Sequence, residues 1–301
     1  MSQGHSVRVV VVTLSGNAVI FVAKLVAALF TRSGSMLAEA IHSLADCLNQ
    51  VFLLVGLEQA AAKPNEWHPL GMGRASYFWS FLVALMLFFG GGVFSLVEGF
   101  EKALHPTTIE RVGIGLGVLL FSLVVESVSL SQAVRELRKK ARGMPLWQYV
   151  RVTKDAELVV CAGEDLAAVL GLAIAALSLA LAAWVHPAFD GVGSIGIGVV
   201  LVLVAFFLAG KVKSLLLGER ADPEIEAAVL TAAKEDARIV EVLRMITIQQ
   251  GPGEVMLAAK VRLAEAISSS DVVLVINEFE ARVRARIPEM RWQFIEPDKE
   301  A

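Results

Sequence analysis

Two short stretches of this chain place ionisable side chains four residues apart within otherwise apolar segments. His42 and Asp46 form the first pair, Cys161 and Asp165 form the second, and Glu164 directly precedes Asp165. Side chains four residues apart lie on the same face of an α-helix. Imidazole, carboxylate and thiolate groups are the usual protein ligands of divalent transition metals. The two stretches therefore indicate two halves of one metal site, each carried by its own helix.

The segments that hold these residues are predicted to be membrane-spanning helices. Apolar residues make up 56% of the 301 positions and the mean hydropathy is +0.65, both high for a soluble protein. Six apolar segments have roughly the 20-residue length that a bilayer requires of a helix. They cover residues 9–30, 35–60, 77–100, 112–134, 156–183 and 189–209. Ionisable groups at membrane depth are costly and usually face a cavity, so we expect the second and fifth segments to face the interior of a helix bundle.

The last part of the chain has a different pattern and predicts a small soluble domain. Its amphipathic and alternating segments predict a helix at 223–237, strands at 239–249 and 254–263, a helix at 268–286 and a strand at 290–295. This αββαβ order is typical of a two-layer, ferredoxin-like α+β domain. The predicted fold class is therefore an α-helical membrane protein with six transmembrane helices, followed by this domain. The predicted boundaries are 1–213 for the transmembrane domain, 214–222 for a linker and 223–301 for the α+β domain.

Charge is distributed unevenly along the chain. Residues 221–301 carry 10 Lys and Arg against 15 Asp and Glu, which argues against nucleic-acid binding because nucleic acids require a basic surface. In the apolar part, Lys and Arg concentrate in the second-to-third and fourth-to-fifth connections and after the sixth segment. By the positive-inside rule, this pattern predicts that both termini are cytoplasmic. The expected location is a bacterial inner membrane, with an organelle membrane as the alternative.

Six short motifs extend over nearly the whole chain. They lie at residues 33–36 (Ser-Gly-Ser-Met), 42–46 (His-Ser-Leu-Ala-Asp), 68–74 (His-Pro-Leu-Gly-Met-Gly-Arg), 77–79 (Tyr-Phe-Trp), 164–168 (Glu-Asp-Leu-Ala-Ala) and 295–298 (Ile-Glu-Pro-Asp). Together they resemble the cation diffusion facilitator family of divalent-metal exporters, in particular its zinc-transporter-like branch. The resemblance implies a homodimer in the lipid bilayer that exchanges a divalent metal ion, most simply Zn²⁺, for protons. It also implies a transporter rather than an enzyme, with no resident cofactor.

The resemblance implies a membrane metal site formed by His42, Asp46 and Asp165. Cys161 stands where the family commonly has a histidine, so the fourth ligand stays open between Cys161 and Glu164. A thiolate at Cys161 would favour softer metals. With Glu164 instead, one imidazole and three carboxylates form a set suited to Zn²⁺, and Mn²⁺, Fe²⁺ and Co²⁺ are the alternatives.

Several of these residues also have a purely structural interpretation. His42 and Asp46 can form a buried hydrogen bond that holds two membrane helices together. Glu126, in the fourth segment, is either a proton acceptor at the same cavity or a carboxylate bonded to neighbouring serines. Lys24 is expected at the depth of Glu39 if the first two segments form a hairpin, and a structural ion pair is predicted there.

The α+β domain lacks the residues that would make it a metal sensor. The family's zinc site in this domain relies on histidines, and no histidine follows residue 222, so the domain is expected to dimerise by packing and not to sense metal strongly. An intramembrane metalloenzyme lacks support because the chain has no His-Glu-x-x-His motif. A non-transporting membrane scaffold does not explain why ionisable groups collect on two helices. Proton-coupled export by alternating access is therefore the favoured function, since a metal displaces protons from its ligands.

Overall fold

The computed structural model describes the backbone of residues 3–106, 108–109, 111–265 and 267–299, and side chains within these ranges at residue 14 and from residue 17 onward. Its helices are α1 (Gln3–Thr31), α2 (Gly34–Ala60), α3 (Ala75–Met86), α4 (Phe94–Leu104), α5 (Val112–Ala141), α6 (Leu146–Val152), α7 (Ala156–Trp184), α8 (Ala188–Leu217), α9 (Pro223–Lys234) and α10 (Ser269–Arg286). Its strands are β1 (Ile239–Gly251), β2 (Glu254–Leu263) and β3 (Met290–Pro297). A π-helical segment (Leu87–Val93) joins α3 to α4 without a break.

The chain folds into two compact units. The first, the membrane unit, contains Met1–Leu57 and Phe78–Lys213, and the second, the tail unit, contains Glu58–Tyr77 and Ser214–Ala301. The end of α2 and the start of α3 thus belong to the tail unit, and we use the term tail side for the end of the membrane helices at which the chain passes into that unit. The α2 helix therefore runs from Gly34, at the opposite end, toward the tail side.

The membrane unit is built from long apolar helices. Among the described residues, five helices are long and apolar enough to cross a membrane, namely α2, α3 continued through α4, α5, α7 and α8. The α1 helix contributes a shorter apolar stretch, Asn17–Thr31, and the first predicted span, 9–30, lies partly outside the residues whose side chains are described. The predicted fold class, a helical membrane domain followed by a small α+β domain, is confirmed.

The α4 and α8 helices approach each other closely through small residues. A Cβ atom added to Gly99 of α4 would lie 2.6 Å from the backbone nitrogen of Ile195 in α8, and Gly191 of α8 packs in turn against the backbone of α4. Membrane helices gain most of their association energy from such close packing, since lipid offers no hydrophobic advantage. This helix pair therefore forms a tightly packed wall of the membrane unit.

The first turn of α2 is held by a carboxylate from α8. Asp190 accepts hydrogen bonds from Ser33 Oγ at 2.6 Å, from the Gly34 backbone nitrogen at 2.5 Å and from Ser35 Oγ at 2.6 Å. An acidic side chain at a helix N-terminus satisfies free backbone N–H groups and complements the helix dipole. The Ser-Gly-Ser motif thus anchors the end of α2 that lies opposite the tail side.

The tail unit contains a three-stranded sheet in the order β1-β2-β3. The β1 and β2 strands pair antiparallel, and β2 and β3 pair parallel, so α10 provides the crossover that a parallel pair requires. Together α9 and α10 cover one face of the sheet, whose buried core contains Val229, Leu257, Val261, Phe279 and Val283. The predicted αββαβ order is confirmed.

An ionic cluster ties α10 to the connection between α9 and β1. Asp236 accepts hydrogen bonds from Arg238 at 2.7 Å and from Arg282 at 3.0 Å. The hydrogen bonds from these guanidinium groups, led by Arg238, hold the pKa of the Asp236 carboxyl well below its usual range. Its contribution to the stability of the tail unit is therefore present at neutral pH and is lost only in strong acid.

Candidate metal site

Carboxylates from both predicted half-sites line one cavity of the membrane unit. The cavity has a volume of about 240 Å³, and its acidic groups come from three helices. Asp46 lies on α2, Glu126 on α5, and Glu164 and Asp165 on α7. The lining is completed by Asn17, Ile20, Gln50, Val125, Ser129 and Ala168. The helical period predicted from sequence therefore brings the carboxylates of α2 and α7 into one space.

His42 lies one helical turn before Asp46 on α2 and is not part of the cavity lining. Its side chain is fully buried, and Nδ1 lies 3.9 Å from Asp46 Oδ1, which is too long for a hydrogen bond. Among the described residues, no hydrogen-bond partner is found for either ring nitrogen of His42 or for Asp46 Oδ1. A buried polar atom left unpaired costs about 1–3 kcal/mol. The structural His–Asp hydrogen bond, the alternative to a metal site, is thus not formed, and both groups are available to a ligand.

The two carboxylates of α7 are held by polar side chains of other helices. Asn49 of α2 donates a hydrogen bond from Nδ2 to Glu164 Oε1. Ser129 of α5 donates to Asp165 Oδ2 at 2.9 Å. Outer partners of this kind orient metal-binding carboxylates and adjust their affinity. The positions of Glu164 and Asp165 therefore depend on α2 and α5.

Cys161 does not line the cavity, although it lies one helical turn before Asp165. The thiol is free of any disulfide and only partly buried. Its position contrasts with that of Glu164, which lines the cavity directly. Of the two residues considered for the fourth ligand, only Glu164 is placed in the same space as Asp46 and Asp165.

The groups share a cavity without forming a finished coordination shell. Within the part of the chain that the structure describes, no three His, Cys, Asp or Glu side chains are close enough together to hold a metal ion. The His42 and Asp46 pair on α2 and the Glu164 and Asp165 pair on α7 must approach each other to enclose one.

Sequence reasoning missed some of the polar lining. Ser129 was expected beside Glu126 and instead bonds Asp165, while Glu126 itself lines the cavity. Gln50 also lines it, and this residue could have been found because it lies four positions after Asp46 on α2. The hydrogen bond of Ser129 joins residues 36 positions apart. Such a contact cannot be recognised from the spacing of residues within one segment.

The electrostatic character of the cavity favours a cation. Four carboxylates line it, and its described lining residues include no Lys or Arg. Buried carboxylates cannot all remain ionised in a poorly polar medium unless a positive charge compensates them. The cavity therefore requires either bound protons or a bound cation.

Comparison with known proteins agrees with this geometry. Residues 10–217 match the cation efflux transmembrane domain. The chain is 33% identical over 280 residues to the proton-coupled zinc antiporter SLC30A9, mitochondrial, of Xenopus laevis, and 34% identical over 257 residues to its human counterpart. It is 30% identical over 264 residues to metal tolerance protein C4 of Arabidopsis thaliana. These alignments cover 90%, 84% and 87% of this chain.

The chain spans about half the length of these relatives. The alignments cover 50%, 45% and 58% of the Xenopus, human and Arabidopsis proteins. The shared part includes the cavity helices, because the family match extends from α1 to the end of α8. The names of these three relatives describe zinc transport or metal tolerance, and none describes an enzyme.

The expected location in a bacterial inner membrane is wrong. Besides the frog and human proteins, the relatives from Pongo abelii and Mus musculus are also named mitochondrial. The distribution of Lys and Arg misled the prediction because it reports the side of a membrane on which charged loops stay, and not the kind of membrane. The assignment of both termini to the cytoplasm was part of the same prediction and is given up with it.

Proposed function

Because the chain belongs to the cation efflux, or cation diffusion facilitator, family, we propose that it moves Zn²⁺ across a membrane in exchange for protons by alternating access. The observation that carries this proposal is the buried, unpaired imidazole of His42 beside Asp46, at an acidic cavity shared with α7. The Xenopus and human relatives, which are named proton-coupled zinc antiporters, support the choice of ion and of counter-ion. Mn²⁺, Fe²⁺ and Co²⁺ are the alternative substrates of the same ligand chemistry.

The proposed ion-binding set is His42, Asp46, Glu164 and Asp165. One imidazole nitrogen and carboxylate oxygens are normal ligands of Zn²⁺. We assign the fourth position to Glu164 rather than Cys161 because the Glu164 carboxylate lines the cavity. Movement of α7 toward α2 would complete the shell around the ion.

Proton coupling follows from the charge of the cavity. Without a metal ion, the clustered carboxylates are most stable when some of them are protonated, because that lowers the negative charge at membrane depth. An arriving Zn²⁺ requires deprotonated ligands, so its binding releases protons. The reverse exchange on the far side of the membrane releases the ion. One shared cavity can therefore couple the two fluxes without a separate proton channel.

The first prediction tests this site. Asp46→Asn and Asp165→Asn each remove a charged ligand. Mutation of a residue that only orients a metal ligand typically costs about 10–100-fold in affinity or activity. We therefore expect a loss of Zn²⁺ transport of at least that size in either variant. Transport is measured as Zn²⁺ uptake into proteoliposomes under a proton gradient. Glu98→Gln, in the tightly packed α4 helix, is the control and should transport normally. Wild-type uptake by a correctly inserted Asp165→Asn protein would refute the site.

The remaining expectations are also proposals. We propose a homodimer in which the face of the tail sheet not covered by helices, with exposed Ile246 and Phe294, lies against its copy. The proposed domain limits stay at 1–213, 214–222 and 223–301. For the location, the names of the vertebrate relatives favour a mitochondrial membrane.

A further inference from the structure

A buried ion pair lies between the proposed site and the side of the membrane opposite the tail. Lys24 of α1 donates hydrogen bonds from Nζ to Glu39 Oε2 at 3.2 Å and to Ser43 Oγ at 2.8 Å. The side chains of Lys24 and Glu39 are both 0% exposed. Such a buried pair is costly to assemble and contributes little net stability by itself, so a role beyond holding α1 to α2 is worth seeking.

The position of the pair follows from the direction of α2. Glu39 precedes His42 by three residues, so it lies about one helical turn further from the tail side. The cavity reaches Asp46, but its lining includes neither Lys24 nor Glu39. On α1 the lining ends at Ile20, one turn before Lys24, so the ion pair lies farther from the tail side than the cavity does. An ion that leaves the proposed site on the side opposite the tail would have to pass it.

Glu39 also faces the helix that carries the other half of the site. Its second oxygen, Oε1, is buried and has no hydrogen-bond partner among the described residues. This oxygen packs against Gly171 of α7, where a Cβ atom would collide with it. Gly171 follows Asp165 by six residues on the same helix. The unused oxygen therefore points into the α2–α7 interface that holds the proposed ligands.

We propose that Lys24 and Glu39 form the gate that closes the ion path on the side opposite the tail. The inference rests on the proposed transport function. While the pair is intact, the Lys24 ammonium neutralises the next carboxylate on the path and repels a divalent cation. When the pair separates, Glu39 becomes an anionic partner for the departing ion. Lys24 is thus a tethered cation that takes the place of the ion at Glu39 until the gate opens.

Electrostatics explains why one ion pair is sufficient for this role. The interaction of like charges is far stronger in a buried environment than in water, so a dication cannot pass close to a buried ammonium. An alternating-access exchanger must keep one side closed while the other is open. A gate that fails to close would let metal pass without protons, and coupling would be lost.

The test measures protons and zinc together in proteoliposomes that contain a pH-sensitive and a Zn²⁺-sensitive dye. We expect Lys24→Met to lower the number of protons moved per Zn²⁺ by at least twofold, because the gate no longer closes. We expect Glu39→Gln to leave that ratio unchanged and to slow both fluxes, because the ammonium stays on the path without its partner. Lys213→Met, which removes an exposed lysine at the tail-side end of α8, is the control and should match the wild type.

The different effects of the two variants on the ratio of protons to Zn²⁺ separate a gate from a purely structural pair, which would respond alike to either change. The double variant Lys24→Met/Glu39→Gln leaves no unpaired charge, and we expect its ratio of protons to Zn²⁺ to lie below that of the wild type. A wild-type ratio in the double variant, or its failure to insert, would overturn the gate. Absence of Zn²⁺ flux in the wild type would instead refute the proposed function.

Discussion

His42 shows how a single side chain can distinguish a structural group from a binding group. A structural histidine in a membrane normally donates or accepts a hydrogen bond, because lipid offers no substitute for water. Here both ring nitrogens lack partners among the described residues, and the Asp46 oxygen at 3.9 Å is beyond hydrogen-bonding reach. The unpaired state has a cost of about 1–3 kcal/mol. Coordination of a metal ion offsets that cost for both residues, which supports the proposed site.

The second prediction concerns the choice between Cys161 and Glu164. Because the Cys161 side chain does not line the cavity, we expect Cys161→Ser to leave the order of affinities for Zn²⁺, Cd²⁺ and Mn²⁺ unchanged. Glu164→Gln should weaken the binding of all three ions, because it removes a charged oxygen ligand. Isothermal titration of the purified protein measures both effects. A selective loss of Cd²⁺ affinity in Cys161→Ser would show instead that the soft thiolate binds the ion.

At the scale of elements, α2 is fixed firmly at one end. Asp190 of α8 holds its first turn, and α8 is itself packed closely against α4 through Gly99 and Gly191. The α7 helix is joined to α2 by the bond between Asn49 and Glu164. These contacts suggest that the tightly packed helices act as a support, against which the cavity helices move.

The third prediction tests this anchor. Asp190→Ala leaves backbone and hydroxyl groups at the start of α2 without an acceptor, and we expect the free energy of unfolding to fall by about 1–2 kcal/mol, as for other helix caps. Thermal unfolding in detergent measures the loss. Transport should decrease but persist, because no proposed ligand is removed. Glu101→Gln, an exposed change near the end of α4, provides the comparison. Unaltered thermal stability in Asp190→Ala would show that the cap is dispensable.

The sequence predicts local features of the helices, but it does not predict contacts between distant residues such as the Asp190 cap. The four-residue spacing of His42 and Asp46 is local, so it predicted correctly which face of α2 carries the polar groups. The Asp190 cap joins residues 156 positions apart, and no periodicity within one segment can reveal such a pairing. The contact of Lys24 with Glu39 was predicted because a helical hairpin relates their depths through one short turn.

At the scale of the whole molecule, the distribution of Lys and Arg was misleading about location. The Lys- and Arg-rich connections identify one side of any membrane, and they carry no mark of the organelle. The relatives named mitochondrial are the finding that overturns the expected bacterial inner membrane. The excess of acidic residues in 221–301 describes the tail domain alone and says nothing about the proposed site in the membrane unit.

The number of metal ions bound per chain can be predicted from the positions of the residues that could bind metal. After residue 222 the chain has no histidine, and in the described ranges no ready-made group of three ligands occurs outside the membrane cavity or within it. A site that forms only when α2 and α7 close around the ion therefore predicts one Zn²⁺ per chain, bound with release of protons. Titration of the full chain in a weakly buffered solution measures both quantities. Asp46→Asn should abolish the binding and the proton release together. A second Zn²⁺ that persists in this variant would place a metal site in the tail domain and give that domain a sensing role.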